Sequence, residues 1–295
     1  MVYSYYIWFI CLFLLITNLL NNNILLIIFL FEMISLFVIP LMFLENNSSL
    51  LSFYNSLISF FVVSSISGLI IFLGWLTEIY FFFALGLILK LGIFPFCWWL
   101  YSVYSGVSWS VLLLLNTLFK SPIFLLCYLN NINFFVVSGV EVLFLFTSLF
   151  CSHYLINKGN NWYGFFGGNS IISSFIILVI INNINMFDIF MYMLLSWVYF
   201  FLFVYFIFYN SSDNLAGYKI EDNTSVYFIF ILLGFPFSIS VIYKIFSVWC
   251  MVLLSTFSLF CYWLVFSLIE QVWLINILFF GSNLVFYTET TNSRF

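Results

Sequence analysis

Apolar stretches long enough to cross a bilayer follow one another along this chain almost from end to end. A helix rising 1.5 Å per residue needs about 20 residues to cross about 30 Å of hydrocarbon, and polar punctuation cuts the sequence into about eleven segments of that order. Of the 295 residues 66% are hydrophobic and 5% charged, a balance that a core and a water-facing shell could not share. The expected fold is all-α: one integral-membrane domain over residues 1–295, with about eleven transmembrane helices, two of them discontinuous.

The first segment runs over residues 3–20 and stops at Asn21, Asn22 and Asn23, whose side chains compete with helical backbone. The second reaches residue 44 and is closed by Glu45, Asn46, Asn47, Ser48 and Ser49. The spacing predicts further segments over 50–74, 77–104 (interrupted at Gly92 and Pro95), 108–129, 132–153, 168–182, 186–209, 224–244 (broken at Gly234 and Pro236), 246–268 and 270–287. The charged loops, around Lys158 and over 213–222, then share the side of the N-terminus, and their lysines assign that side to the matrix or cytoplasm. Residues 3–20 have neither an Arg-rich amphipathic leader before them nor an A-x-A cleavage pattern, so they are expected to be the first helix rather than a removed presequence.

Six cysteines never fall in a C-x-x-C pair and read as small buried hydrophobes. With His153 the only histidine, the chain cannot supply two axial ligands to a haem or a His-rich copper or zinc site. No cofactor is expected in this chain, and nothing basic enough for nucleic acid is present among its six Lys and Arg residues.

Three of those six, Lys90, Lys120 and Lys244, stand inside apolar segments. An ammonium at the bilayer centre costs about 2.5–3.5 kcal/mol even on the lenient insertion scale, so their placement points to a polar path. Desolvated lysine can release and regain a proton, which arginine cannot. Glu32, in the middle of Leu30–Ile34, is the natural counter-ion. Lys90 adjoins Gly92 and Pro95, and Lys244 follows Gly234 and Pro236. Proline frees backbone carbonyls that only protein or water can satisfy at membrane depth, and paired broken helices point to ion sites in transporters. Plain proline kinks and a merely neutralising ion pair are the competing explanations, but neither accounts for Lys120 and Lys244. Ser238, Ser240, Ser247, Tyr243, Asn116 and Thr117 can bridge the lysines or simply make helix contacts. His153, Glu78, Asp188, Glu270 and Glu289 are expected near helix ends, as caps or interfacial groups. Glu141 is assigned no role.

Four motifs carry a resemblance. Glu32–Pro40, E-M-I-S-L-F-V-I-P, is similar to E-x-N-x-x-x-F-I-P. Lys90–Trp99, K-L-G-I-F-P-F-C-W-W, is similar to K-L-G-x-A-P-F-H-F-W, and Ser105, Gly106 and Trp109 follow as in S-G-x-x-W. Lys120 stands in N-T-L-F-K-S-P, like T-W-Q-K-x-x-P, and Gly234–Lys244, G-F-P-F-S-I-S-V-I-Y-K, keeps the spacing of G-L-P-P-x-x-G-F-x-P-K. In these residues the chain resembles the chain-2 family of mitochondrial NADH:ubiquinone oxidoreductase, the respiratory complex I. That family is antiporter-like, and its animal members resemble a fourteen-helix ancestor without the first three helices.

The resemblance implies a proton-translocating subunit of the inner mitochondrial membrane, with Glu32 and Lys90 as a switchable pair, Lys120 as the central relay and Lys244 as the group passing the proton on. It implies other membrane-arm subunits, including neighbouring antiporter-like chains, and phospholipid as partners. NADH, FMN, iron–sulfur clusters and ubiquinone would be handled elsewhere in the assembly. Departures from the pattern are Cys97 in place of a histidine, Leu100 and Tyr101 in place of P-E, and Ser173 or Ser174 where a histidine is usual. A free-standing cation/proton antiporter and a structural scaffold are the rival readings. The first would usually carry an acidic pair at its site, and the second predicts that lysine substitutions leave transport unchanged.

Overall fold

The computed structural model describes residues 2–45, 50–117, 119–129, 137–157, 162–181, 186–210, 239–253 and 257–289, and every regular element among them is an α-helix. In chain order these are α1 (Val2–Leu20), α2 (Ile24–Leu44), α3 (Leu50–Leu76), α4 (Tyr80–Leu91), α5 (Trp98–Gly106) and α6 (Trp109–Thr117). They continue with α7 (Ser121–Leu129), α8 (Val137–Asn157), α9 (Trp162–Ile181), α10 (Met186–Asn210), α11 (Ile239–Leu253) and α12 (Phe257–Glu289). Among the described residues five helices, α1, α2, α3, α8 and α12, are long and apolar enough to cross a membrane. Their outer faces are apolar too: Phe9, Phe13 and Ile16 on α1 and Ile58, Phe61 and Leu69 on α3 are all exposed. Apolar residues inside and outside together are what lipid as solvent selects. The protein is a helical membrane protein.

Helix α9 is the central post. It packs against α4, α5, α7, α8, α10 and α11, and from Gly164 to Val179 every residue but Asn169 is buried. A helix apolar on every side belongs in such a position. Its glycines and serines, Gly164, Gly167, Gly168, Ser170, Ser173 and Ser174, let neighbouring helices come close while leaving hydroxyls inside.

The break expected at Gly92 and Pro95 separates α4 from α5. Gly92 takes the left-handed conformation, φ 65°, that a residue without Cβ adopts freely. Its N–H bonds Leu89 O at 3.2 Å and the Ile93 N–H bonds Ile88 O at 3.0 Å, the crossed pair of a Schellman cap. Leu89 O also accepts from the Trp99 indole at 3.0 Å. Two of the carbonyls at the end of α4, those of Ile88 and Leu89, are thus satisfied by protein, as the membrane interior requires. Gly234 and Pro236, expected to form the second break, lie outside the described residues.

Three boundaries differ from expectation. The segment 108–129 is not one helix: α6 stops at Thr117, Phe119 and Lys120 form a turn, and α7 starts at Ser121. Pro122 is the reason, since a residue without an N–H fits the first turn of a helix and not its middle. The stops expected near residues 245 and 269 fall inside continuous helices, α11 and α12. The expected segments end at Lys244 and begin again at Glu270. Each has a partner inside the bundle, so neither needs to end a helix.

A line of buried lysines

Lys90 occupies the last turn of α4, where the helix dipole favours a cation. It is 2% exposed and makes an ion pair and hydrogen bond with Glu32 Oε1 of α2. Its Nζ stands 3.8 Å from the centre of the Phe31 ring and 5.6 Å from that of Phe119, and these two rings touch at 5.1 Å. Aromatic faces attract a cation most when water is excluded. The carboxylate lies in a notch made by Gly68 of α3, where a Cβ would come within 2.7 Å of Glu32 Oε2 and closer still to Cδ. The Ser35 hydroxyl donates to the Glu32 carbonyl at 2.7 Å, steadying the same turn.

Lys120 stands in the turn between α6 and α7 and is 6% exposed. Its ammonium donates to Ser170 O at 2.8 Å and to Ser173 Oγ at 2.6 Å, both on α9, with the Phe200 ring 5.3 Å away. Ser173 is one of the two serines at the position where the resembled family has a histidine. Its neighbour Ser174 bonds within its own helix, to Ile171 O. The Tyr104 hydroxyl lies 2.8 Å from Asn116 Oδ1 and 2.7 Å from Ser170 Oγ. With one proton to give, it donates to the amide carbonyl, which can only accept, and accepts from the serine.

Lys244 lies on α11, its Nζ 3.3 Å from Glu270 Oε2 of α12. The angle is wrong for a hydrogen bond: the ammonium is buried and has no hydrogen-bond partner among the described residues. Glu270 Oε1 accepts from Asn169 Nδ2 of α9 at 3.2 Å. Beside Lys244, the Tyr243 and Tyr192 hydroxyls are 2.9 Å apart, and the Tyr243 ring stacks on Tyr199 at 5.0 Å.

All four sequence-predicted charges therefore sit at built positions, and they fall into three stations. Phe31 and Phe119 wall the first from the Lys120 turn. Asn169, Ser170 and Ser173, one turn of α9, touch both the second and the third. Of the candidate bridging residues, Asn116 and Tyr243 bond across helices, whereas Thr117 and Ser247 bond carbonyls of their own helices. Ser238 lies outside the described residues.

Glu270 is a correction. It was expected at a helix end, but it lies well inside α12, is 3% exposed and faces a lysine. Asp188 does lie in the first turn of α10 and Glu78 is exposed just past α3. Tyr104, Asn169, Ser170 and Tyr192 were also missed, since single polar residues in apolar segments carry no spacing signal. Among the described residues no group of three or more His, Cys, Asp or Glu side chains is placed to hold a metal ion.

No protein-family model matches the sequence. Over 203 residues the chain is 30% identical to NADH-ubiquinone oxidoreductase chain 2 of Apis mellifera ligustica, a match covering 63% of this chain and 58% of that protein. In structure it matches a chain of respiratory complex I from Thermus thermophilus with a TM-score of 0.68 at 14% identity, covering 88% of this chain and 65% of the other. The chain thus spans less than two thirds of the length of either relative. In sequence it is similar to NADH-ubiquinone oxidoreductase chain 2, and it has the fold of a chain of respiratory complex I.

Proposed function

We propose that the chain is a core membrane subunit of the respiratory NADH:ubiquinone oxidoreductase of the mitochondrial inner membrane, working as one integral-membrane unit of about eleven crossings. It helps to translocate protons through Glu32, Lys90, Lys120 and Lys244. The observation that carries this reading is that three intramembrane lysines each have a specific seat, and that the seats of the second and third share one turn of α9.

Chemically, the proton is held as ammonium at each lysine and passes between them by hydroxyls and water. Asn116 Nδ2 and Lys244 Nζ are buried donors without protein partners among the described residues, and such groups are where ordered water is held. The trigger is electrostatic. Opening the Glu32–Lys90 pair removes the carboxylate that holds the proton on Lys90, and the proton moves toward Lys120. NADH oxidation on FMN and iron–sulfur clusters and the reduction of ubiquinone belong to other subunits, which supply the energy. The exposed apolar faces fit other membrane-arm subunits, neighbouring antiporter-like chains among them, and phospholipid.

A free-standing cation antiporter fits less well. Glu32 and Glu270 are each neutralised by a different lysine rather than paired with one another to hold a cation.

Native electrophoresis of solubilised membranes is expected to place the chain in a large assembly with NADH dehydrogenase activity. In that assembly Lys120→Met is expected to lower the protons moved per NADH oxidised while assembly persists. An unchanged ratio would contradict the relay, and a small lone species would contradict the assignment to the complex.

A further inference from the structure

Helix α12 runs unbroken from Phe257 to Glu289, which puts the Glu270 carboxyl deep in the bundle, between the buried Phe266 on one side and Trp273 and Leu274 on the other. A carboxylate so placed is expensive and calls for a function or a partner. Its surroundings are built around it from three other helices. Asn169 of α9 donates to Oε1 at 3.2 Å. Lys244 of α11 stands 3.3 Å from Oε2, and next to that lysine the Tyr243 ring stacks on Tyr199 of α10 at 5.0 Å.

The pair is not closed as the first one is. Glu32 and Lys90 form a hydrogen bond, whereas Lys244 approaches Glu270 without forming one. Two charges kept only to cancel each other would gain by closing the remaining gap. Here the amide of Asn169 holds the carboxylate in place, and the ammonium has no hydrogen-bond acceptor among the described residues. Asn169 is also next in sequence to Ser170, whose carbonyl binds Lys120. The carboxylate is therefore anchored to the same turn of α9 that seats the preceding lysine.

We propose that Glu270 is a working member of the path, forming with Lys244 a second ion pair that tightens when a proton arrives and loosens when it leaves. This rests on the relay reading above. The neutral Lys244 amine takes up one proton and becomes an ammonium facing the carboxylate. It gives up that same proton onward and returns to the amine. While the amine is neutral, Glu270 is an uncompensated buried charge, and its field draws the next proton toward Lys244 from the Lys120 side. Glu270 is a positioning residue in this scheme: it acts through Lys244 and keeps its own charge throughout.

The test uses the assembled complex in sealed membrane vesicles, reading protons moved per NADH oxidised alongside NADH oxidation by an artificial acceptor. Glu270→Gln keeps the shape and the Asn169 hydrogen bond but removes the charge, and is expected to lower the proton ratio toward that of Lys120→Met. Lys244→Arg keeps a cation opposite Glu270 but cannot release its proton, and is expected to do the same with assembly retained. A normal ratio in Glu270→Gln, beside lowered ones in Lys120→Met and Lys244→Arg, overturns the role of Glu270 and leaves the relay standing. Normal ratios in Lys120→Met and Lys244→Arg alike remove the relay, and this inference with it. Should Glu270→Gln fail to assemble, Lys244→Arg decides alone: wild-type pumping by that variant means that the pair does not open and close with the proton.

Discussion

The Lys90 and Lys244 ends of the site use the same two residue types and build different objects. At the first, the lysine is at a helix C-terminus, hydrogen-bonded to Glu32, with Phe31 close to its Nζ and Gly68 making room for the carboxylate. At the second, the lysine lies within a helix, its partner carboxylate is held by an amide from α9, and the ammonium has no hydrogen-bond partner among the described residues. One end is locked by several contacts at once, and the other is in reach of its partner but unlatched. The comparison teaches that the same charge pair is a lock or a transfer station according to what else holds its two halves. Lys120, between them, has two serine oxygens as acceptors.

Four substitutions would break or sharpen that contrast. The largest effect is expected for Lys90→Met, which takes from Glu32 its hydrogen-bonded partner; breaking a fully buried pair costs about 3–5 kcal/mol, and the 29% exposure of the Glu32 side chain brings this one below that. It should deplete assembled complex on native gels far more than Lys244→Met, and equal depletion would mean the two pairs are alike. Next, Ser173→Ala takes one of two acceptors from the Lys120 ammonium, a loss of about 1.5–3 kcal/mol for a charged hydrogen bond. It is expected to reduce pumping at near-normal assembly, and normal pumping would show that Ser170 alone suffices. Gly68→Ala should cost about 1–3 kcal/mol by overpacking against the carboxylate, read as a lower thermal midpoint of the purified complex. An unchanged midpoint would mean that Glu32 can move away without penalty. Smallest is Phe31→Leu, where losing the ring face over Lys90 should cost about 1 kcal/mol. A larger shift there would make the aromatic wall, rather than the ion pair, the main lock.

Much of the fold was legible because composition and the bilayer leave few choices. The asparagines at 21–23 separate α1 from α2, with the Asn23 side chain capping α2, and Gly92 with Pro95 marks the first break. Lys244 and Glu270 stand at the bounds of expected segments, but they pair with each other across 26 residues, and only the packing of α11 on α12 brings them together. The break at Lys120 was written in Ser121-Pro122 and was overlooked in favour of an uninterrupted apolar run. The serines of α9 could not have been singled out, since a serine that seats an ammonium and one that bonds its own helix read the same in sequence.

A relay through three lysines requires that water and hydroxyls join them. A density map of the assembled membrane complex, sharp enough to place ordered solvent, is expected to show a continuous chain of waters and hydroxyls from Lys90 past Phe119 to Lys120, and along Asn169 and Tyr243 to Lys244. Dry apolar packing or lipid tails between those amines would contradict it.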